Sequence, residues 1–220
     1  MGCAPAAGRR LACFVRAQVT QRARTVVEGT RFLHRELWRV VTRQIDHRNA
    51  NPVGAFYDDL VAMVFAFHTF EAYLNYAGEL LAPETWANER NFFSKQPYRG
   101  FDGKVRKILE LADLPEPSRA IRPYSTIWML KAFRDTIAHA RPERFGSAVE
   151  HSTEDEPSLH ATPMDATVTR DNADRAKVDV ETFIEQIHVA AKPKISDIWF
   201  GPSALSGPLQ FSSGSTTLAP

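Results

Sequence analysis

The chain has 220 residues, 44% of them hydrophobic and 24% charged, with a formal net charge of +1. This is the composition of a soluble globular domain whose core needs no covalent staples. Only Cys3 and Cys13 are present, both near the start, which excludes a disulfide framework and a cysteine-based zinc site. No apolar run approaches the ~18 residues that cross a membrane, so no membrane partner is expected.

In chain order, residues 1–16 carry Gly2, but Ala6 breaks the myristoylation pattern. No apolar stretch precedes the "LAC" at 11–13. A cytoplasmic protein with a disordered segment over 1–16 is expected. Segment 17–47 reads as a first helix, with Val26, Leu33, Leu37, Val40 and Val41 on its stripe and arginines among its polar positions. Segment 55–81 is the most apolar; Tyr57, Leu60, Val61, Val64, Phe65, His68, Leu74 and Leu81 recur at three- and four-residue steps, and Pro83 follows. Residues 82–103 form an aromatic connector, and 104–113 a short helix. Pro123 suits a helix start. Ile127, Leu130, Phe133, Arg134 and Ile137 then follow at helical spacing up to Pro142. A long acidic loop over 143–172, with room for a small hairpin, precedes a last helix over 173–192 carrying Val180, Phe183, Ile184 and Ile187. The remainder, 193–220, is rich in Gly, Ser and Pro and reads as a flexible tail. The expectation is an all-α fold: one helical bundle of four to five helices over 17–192, with flexible ends. Its core should include Val64, Leu74, Leu130, Phe133, Ile137 and Phe183.

Charge alternates along the chain. Residues 1–48 and 95–144 carry net +7 and +5, while 49–94 and 145–192 carry −5 and −6. Two readings fit: helices that neutralise one another in the fold, or a basic face for phosphate backbones.

Chemistry-bearing residues concentrate in two places. His68 and Glu71 are three apart on the stripe of the 55–81 helix and so point the same way, into the bundle; they read either as a satisfied core His with a Glu bonded to a neighbouring helix, or as a Glu71 that holds an active-site arginine. "FRDTIAHARPE", 133–143, brings Arg134, Asp135 and His139 to the end of a periodic helix. One reading is a capped helix end, since basic groups in a last turn suit the helix dipole. Glu185 and His188 form a Glu-x-x-His pair, but a carboxylate-bridged metal site needs a second such pair, which the sequence lacks. There is no phosphate loop, dinucleotide fingerprint or nucleophile elbow.

"RDTIAH", with "AFHTFEAYLNYAGELL", "RPYSTIWMLKAFRDTIAHARPE" and "DVETFIEQIH", resembles HEPN domains over about residues 55–192. The resemblance implies a HEPN-like bundle with an Arg-x4-His motif. Many members are metal-independent endoribonucleases acting as toxins or phage-defence effectors; others only bind RNA, a nucleotide or a protein. Carried onto this chain, it implies His139 as acid/base, Arg134 as phosphate clamp and Asp135 as their orienting partner. Glu71 and His68 stand behind them, and Lys131, Arg141 and Arg144 line an RNA-binding rim. The implied partners are RNA, a second copy in a homodimer, and an antitoxin or regulatory protein, with no cofactor or metal. One toxin branch carries a Tyr two residues after the His, where this chain has Arg141. A purely structural dimer is the remaining alternative.

The chemistry is self-consistent. RNA supplies its own nucleophile, the 2′-hydroxyl. An ordinary imidazole, with a pKa of ~6.5, exchanges protons near neutrality. An arginine grips two phosphate oxygens at once. Residues five apart on a regular helix diverge by ~140°, so Arg134 and His139 can cooperate only if the helix ends between them or a second protomer completes the cleft. Pro142 favours an ending.

Overall fold

The structure, a computed structural model, describes residues 23–139, 142, 162–197 and 200–218. The chain divides into two compact units. One comprises residues 1–30 and 211–220, the other residues 31–210.

The smaller unit is built on a two-stranded ribbon of β1 (Ala23–Arg31) and β2 (Gln210–Leu218). Thr25 meets Thr216, their hydroxyls 3.0 Å apart, while Gly29 lies against Phe211 and Ser212, so the strands run antiparallel. A Cβ on Gly29 would sit 2.4 Å from the Phe211 carbonyl oxygen, so a larger residue there would push the strands apart. This corrects the helix expected from residue 17 and the all-α assignment at this point. Thr25, Val26, Val27 and Thr30 are β-branched and favour a strand, but the partner strand lies some 180 residues away, beyond any local window.

The larger unit is helical, and among the described residues the protein is mostly helical with one small sheet. Its elements are α1 (Leu33–Ala50), α2 (Ala55–Leu81), α3 (Pro83–Ala87), α4 (Glu89–Phe92), α5 (Gly100–Leu111), α6 (Tyr124–Ala138), α7 (Pro163–Thr167) and α8 (Arg170–Ala191). The central element is α2, packed by α1, α3, α5, α6 and α8. Met63, Phe67, Phe70, Tyr73 and Leu74 of α2 are fully buried with Val41 of α1, Ile108 of α5, Ile127 and Leu130 of α6, and Val180, Ile184 and Ile187 of α8. Each such side chain contributes about 1.5–3 kcal/mol. Of the expected core, Leu74, Leu130, Phe133 and Phe183 are buried; Val64 and Ile137 are partly buried against them. At Gly78 the Trp86 ring closes so tightly that a Cβ would fall 2.0 Å from it.

Two stripes are corrected. On α1, Leu33 is exposed while His34, Arg35, Trp38, Val41, Ile45 and Arg48 face inward. On α2 the buried positions include 62, 63, 66, 67, 70, 73 and 74, and the 61–64–68–71 line is the outer one. A helix surrounded on most sides is apolar nearly all round, so its periodicity cannot choose the innermost stripe.

The segment after α8 is also corrected. Phe200, Ala204 and Leu205 are buried, so residues 200–209 are a packed strap rather than a flexible tail. The Phe200 ring stacks on His188 (4.0 Å between centroids) and on Tyr76 (5.9 Å). Arg35 Nε donates to Ala204 O (3.1 Å) and its Nη1 to Pro208 O (3.0 Å); His34 Nε2 donates to Ala204 O (3.1 Å). Glu185 Oε1 accepts from Ser203 Oγ (2.6 Å) and Ala204 N (2.9 Å), and His188 Nε2 donates to Gly201 O (3.3 Å). The Glu-x-x-His pair thus anchors the strap. The strap ends where Phe32 N–H donates to Leu209 O at 2.8 Å.

Ion pairs join the alternating charge blocks. Buried Arg48 of α1 binds Asp59 of α2 and Asp174 of α8, both at 2.7 Å. Arg122, just before α6, grips Asp179 of α8 with two nitrogens (2.8 and 2.9 Å). The neutralising reading of the charge pattern accounts for these. Segment 1–16 and most of the 143–172 loop lie outside the described residues. Within that loop span, Pro163–Thr167 forms α7, and α8 begins at Arg170, with Thr162 and Thr169 accepting N-cap bonds.

Candidate functional site

The site is assembled where the end of α6 meets the outer line of α2. Helix α6 starts after Pro123 and buries Ile127, Leu130 and Phe133. That register leaves Lys131, Arg134 and Asp135 half-exposed on its flank. Arg134 Nη1 pairs with Asp135 Oδ1 at 2.9 Å, and Nη2 donates to Glu71 Oε1 at 3.3 Å. The guanidinium carbon lies 4.9 Å from the centre of the Phe67 ring, while Nε is buried without a partner. Two carboxylates and a ring face therefore fix the plane of the fork. Glu71 Oε2 lies 3.5 Å from His68 Nδ1. Lys131 Nζ donates to Asp135 Oδ2 at 2.9 Å, one helical turn away.

Helix α6 ends at Ala138, and His139 caps it with φ −116° and ψ 25°. The backbone N–H of His139 donates to Asp135 O at 3.1 Å, and the residue is exposed. Residues four apart share a helix face, so His139 lies over Asp135. The Asp135 carboxyl is held below its usual range by the Lys131 hydrogen bond, with Lys131, Arg134 and His139 adding favourable charge. Asp135 is thereby the electrostatic link between Arg134 and His139, which a regular helix would turn ~140° apart.

The structure thus brings together His68, Glu71, Lys131, Arg134, Asp135 and His139. His68 and Glu71 join from the outer line of α2, not from the interior position expected of them; their side chains are 43% and 28% exposed. Arg141 and Arg144 lie outside the described residues. Sequence reasoning singled out Glu185 and His188 as a pair but missed that they join His34 and Arg35 in a second His–Arg–Glu cluster, which holds the strap. The available signal was the apolar group Phe200, Ala204 and Leu205 within a tail rich in Gly, Ser and Pro.

Electrostatically the candidate site is balanced: Lys131 and Arg134 face Glu71 and Asp135. It combines an oriented guanidinium, paired with Asp135, and the exposed His139 one helical turn beyond that carboxylate. Such a set can bind an oxyanion and transfer a proton.

No family model, curated protein or solved structure matches this chain. Among the described residues, no helix is long and apolar enough to cross a membrane.

Proposed function

We propose that the protein is a metal-independent endoribonuclease of HEPN type, a toxin or phage-defence effector held in check by an antitoxin or regulatory protein. The observation that carries the reading is Asp135, paired with the oriented Arg134 and lying beneath the exposed His139 at the end of α6. His139 removes the 2′-hydroxyl proton or protonates the leaving 5′-oxygen. Arg134 balances the charge gathering on the scissile phosphate. Glu71 and His68 keep the fork in place, while Lys131, Arg141 and Arg144 attract the backbone. The products are a 2′,3′-cyclic phosphate, or its hydrolysis product, and a 5′-hydroxyl. A homodimer supplies the second acid/base by bringing two α6 ends into one cleft.

The test is incubation of purified protein with mixed RNA in EDTA, beside His139→Ala. Removing general acid–base help should slow cleavage by ~10² to 10⁴. Equal cleavage by both proteins, or cleavage that EDTA abolishes and magnesium restores, overturns the reading. Light scattering at micromolar concentration that finds only the mass of one chain overturns the dimer.

One observation favours a non-catalytic binding module instead. Arg134 already spends Nη1 and Nη2 on carboxylates. If no RNA is cut while Arg134→Ala weakens RNA binding and lowers its salt dependence, that reading replaces the first.

A further inference from the structure

The loop between α4 and α5 frames a second site, away from the residues assigned above. Asn88, Asn91, Phe92, Lys95, Gln96, Pro97 and Tyr98 line a cleft of about 400 Å³, the size range of small-ligand pockets. Phe92 and Tyr98 are stacked, 5.4 Å between centroids with planes 21° apart, and both are half-exposed. Around them stand the amides of Asn88, Asn91 and Gln96.

The frame is rigid. Tyr98 Oη donates to Glu110 Oε2 at 2.7 Å, and Lys107 Nζ lies 5.1 Å from the Tyr98 ring centre. Arg106 Nη1 donates to Pro97 O at 2.9 Å, and Gly100 N to Phe93 O at 2.8 Å. Helix α5 presses so close that a Cβ on Gly103 would fall 1.7 Å from Tyr98 O. Preformed geometry lowers the ordering cost of binding.

Charge picks the ligand class. Arg90, Lys95 and Arg99 are exposed and, among the described residues, make no ion pair; the acidic neighbour Glu89 is engaged with Lys104. By contrast, Arg48, Arg106, Arg119 and Arg122 of this unit each hold a carboxylate. Lys95 on the lining, Arg90 and Arg99 next in sequence to the lining residues Asn91 and Tyr98, two rings and three amides together match an anionic chain bearing flat, hydrogen-bonding groups. Aromatic rings accept unstacked bases, amides read base edges, and cations track the backbone.

We propose that this cleft binds one unstacked nucleobase of single-stranded RNA, with Lys95, Arg90 and Arg99 on the flanking phosphates. The proposal rests on the ribonuclease reading for its polymer and adds a substrate requirement: an unpaired base held by the α4–α5 loop.

The test is fluorescence anisotropy with a labelled 12-mer oligouridine and a 12-mer containing abasic sites, in EDTA, using the His139→Ala protein to keep the RNA intact. Phe92→Leu keeps apolar volume and removes the stacking face. Loss of one base stack should weaken oligouridine binding by about tenfold and leave the abasic oligomer nearly unchanged. Lys95→Gln should lower the salt slope by about 0.7, one phosphate contact on a single strand. Circular dichroism of each variant confirms folding, and Gln96→Ala, on an exposed side chain, gives a second reading if Phe92→Leu unfolds. Wild-type affinity in Phe92→Leu, or in Gln96→Ala where it replaces it, overturns the cleft. So does equal binding of the two oligomers, or no binding. Cleavage is measured separately, in the His139-intact protein. Cleavage with an inert cleft overturns this inference alone; a base-dependent cleft without cleavage overturns the nuclease alone.

Discussion

The larger unit contains two clusters made of the same kinds of residue. At the strap, His34, Arg35, Glu185 and His188 spend their polar atoms on backbone and hydroxyl groups of residues 201–208. At the end of α6, His68, Glu71, Arg134 and Asp135 pair with one another and with Lys131, and His139 beside them is exposed. In the first cluster burial fixes the protonation states: desolvation pushes the His34 imidazole down to about 3, lowers His188, and raises the Tyr73 phenol. Residue type therefore does not mark a reactive site. Solvent access separates the two clusters, and the residue types proposed for chemistry in one place are fasteners in the other.

That contrast can be broken by experiment. The largest effect is expected at the strap. Phe200→Ala removes a ring stacked on His188 and Tyr76, and should cost about 3–5 kcal/mol in urea unfolding with cleavage per folded molecule unchanged. A small change there would show that the strap is not a fastener. Next, Arg134→Lys should lower RNA cleavage by about 100-fold, because an ammonium cannot make the paired grip, while thermal melting barely moves. A large drop in melting temperature would place Arg134 with the structural cluster.

The third effect is a pH dependence of stability. His34 is neutral in the folded protein, with its pKa depressed to about 3; unfolded, it titrates near ~6.5. Below that value the unfolded chain binds the extra proton, so stability falls as pH falls from about 6.5 toward 3. By pH 4.5 the loss should reach about 2–3 kcal/mol, read as a shift in the urea midpoint, and His34→Gln should flatten the slope between pH 6.5 and 4.5. An unchanged slope would remove His34 from the buried set. The smallest effect is expected for Asp135→Asn. Its exposed pair with Lys131 is worth about 0.3–0.5 kcal/mol, so melting should hardly change, while cleavage should fall if Asp135 orients Arg134 and His139.

Much of the helical order was legible in the sequence. Helices α2, α6 and α8 lie within a few residues of the expected segments, and α5 starts only slightly earlier, because apolar spacing and Pro83, Pro123 and Pro142 are local signals. The meeting of Glu71 with Arg134 also follows from their helix positions, although which side of α2 faces outward does not. What escaped is non-local. Strand β1 finds its partner only at β2, and the burial of Phe200, Ala204 and Leu205 depends on a groove formed by α1, α2 and α8. Gly, Ser and Pro around those residues suggested disorder, yet in the strap they let a non-helical chain turn across the bundle while three apolar side chains anchor it.

The hydrogen bond from Phe32 to Leu209 carries a topological consequence. Residues joined by such a bond lie about 5 Å apart, so the stretch from α1 through the strap begins and ends at neighbouring points. A stretch of this kind can be moved as a cassette: grafted through a single surface turn of a host protein, or permuted by joining 32 to 209 and opening the chain in the largely exposed 115–120 segment. Such a permutant would begin and end far from its original termini while keeping each helix against its present neighbours.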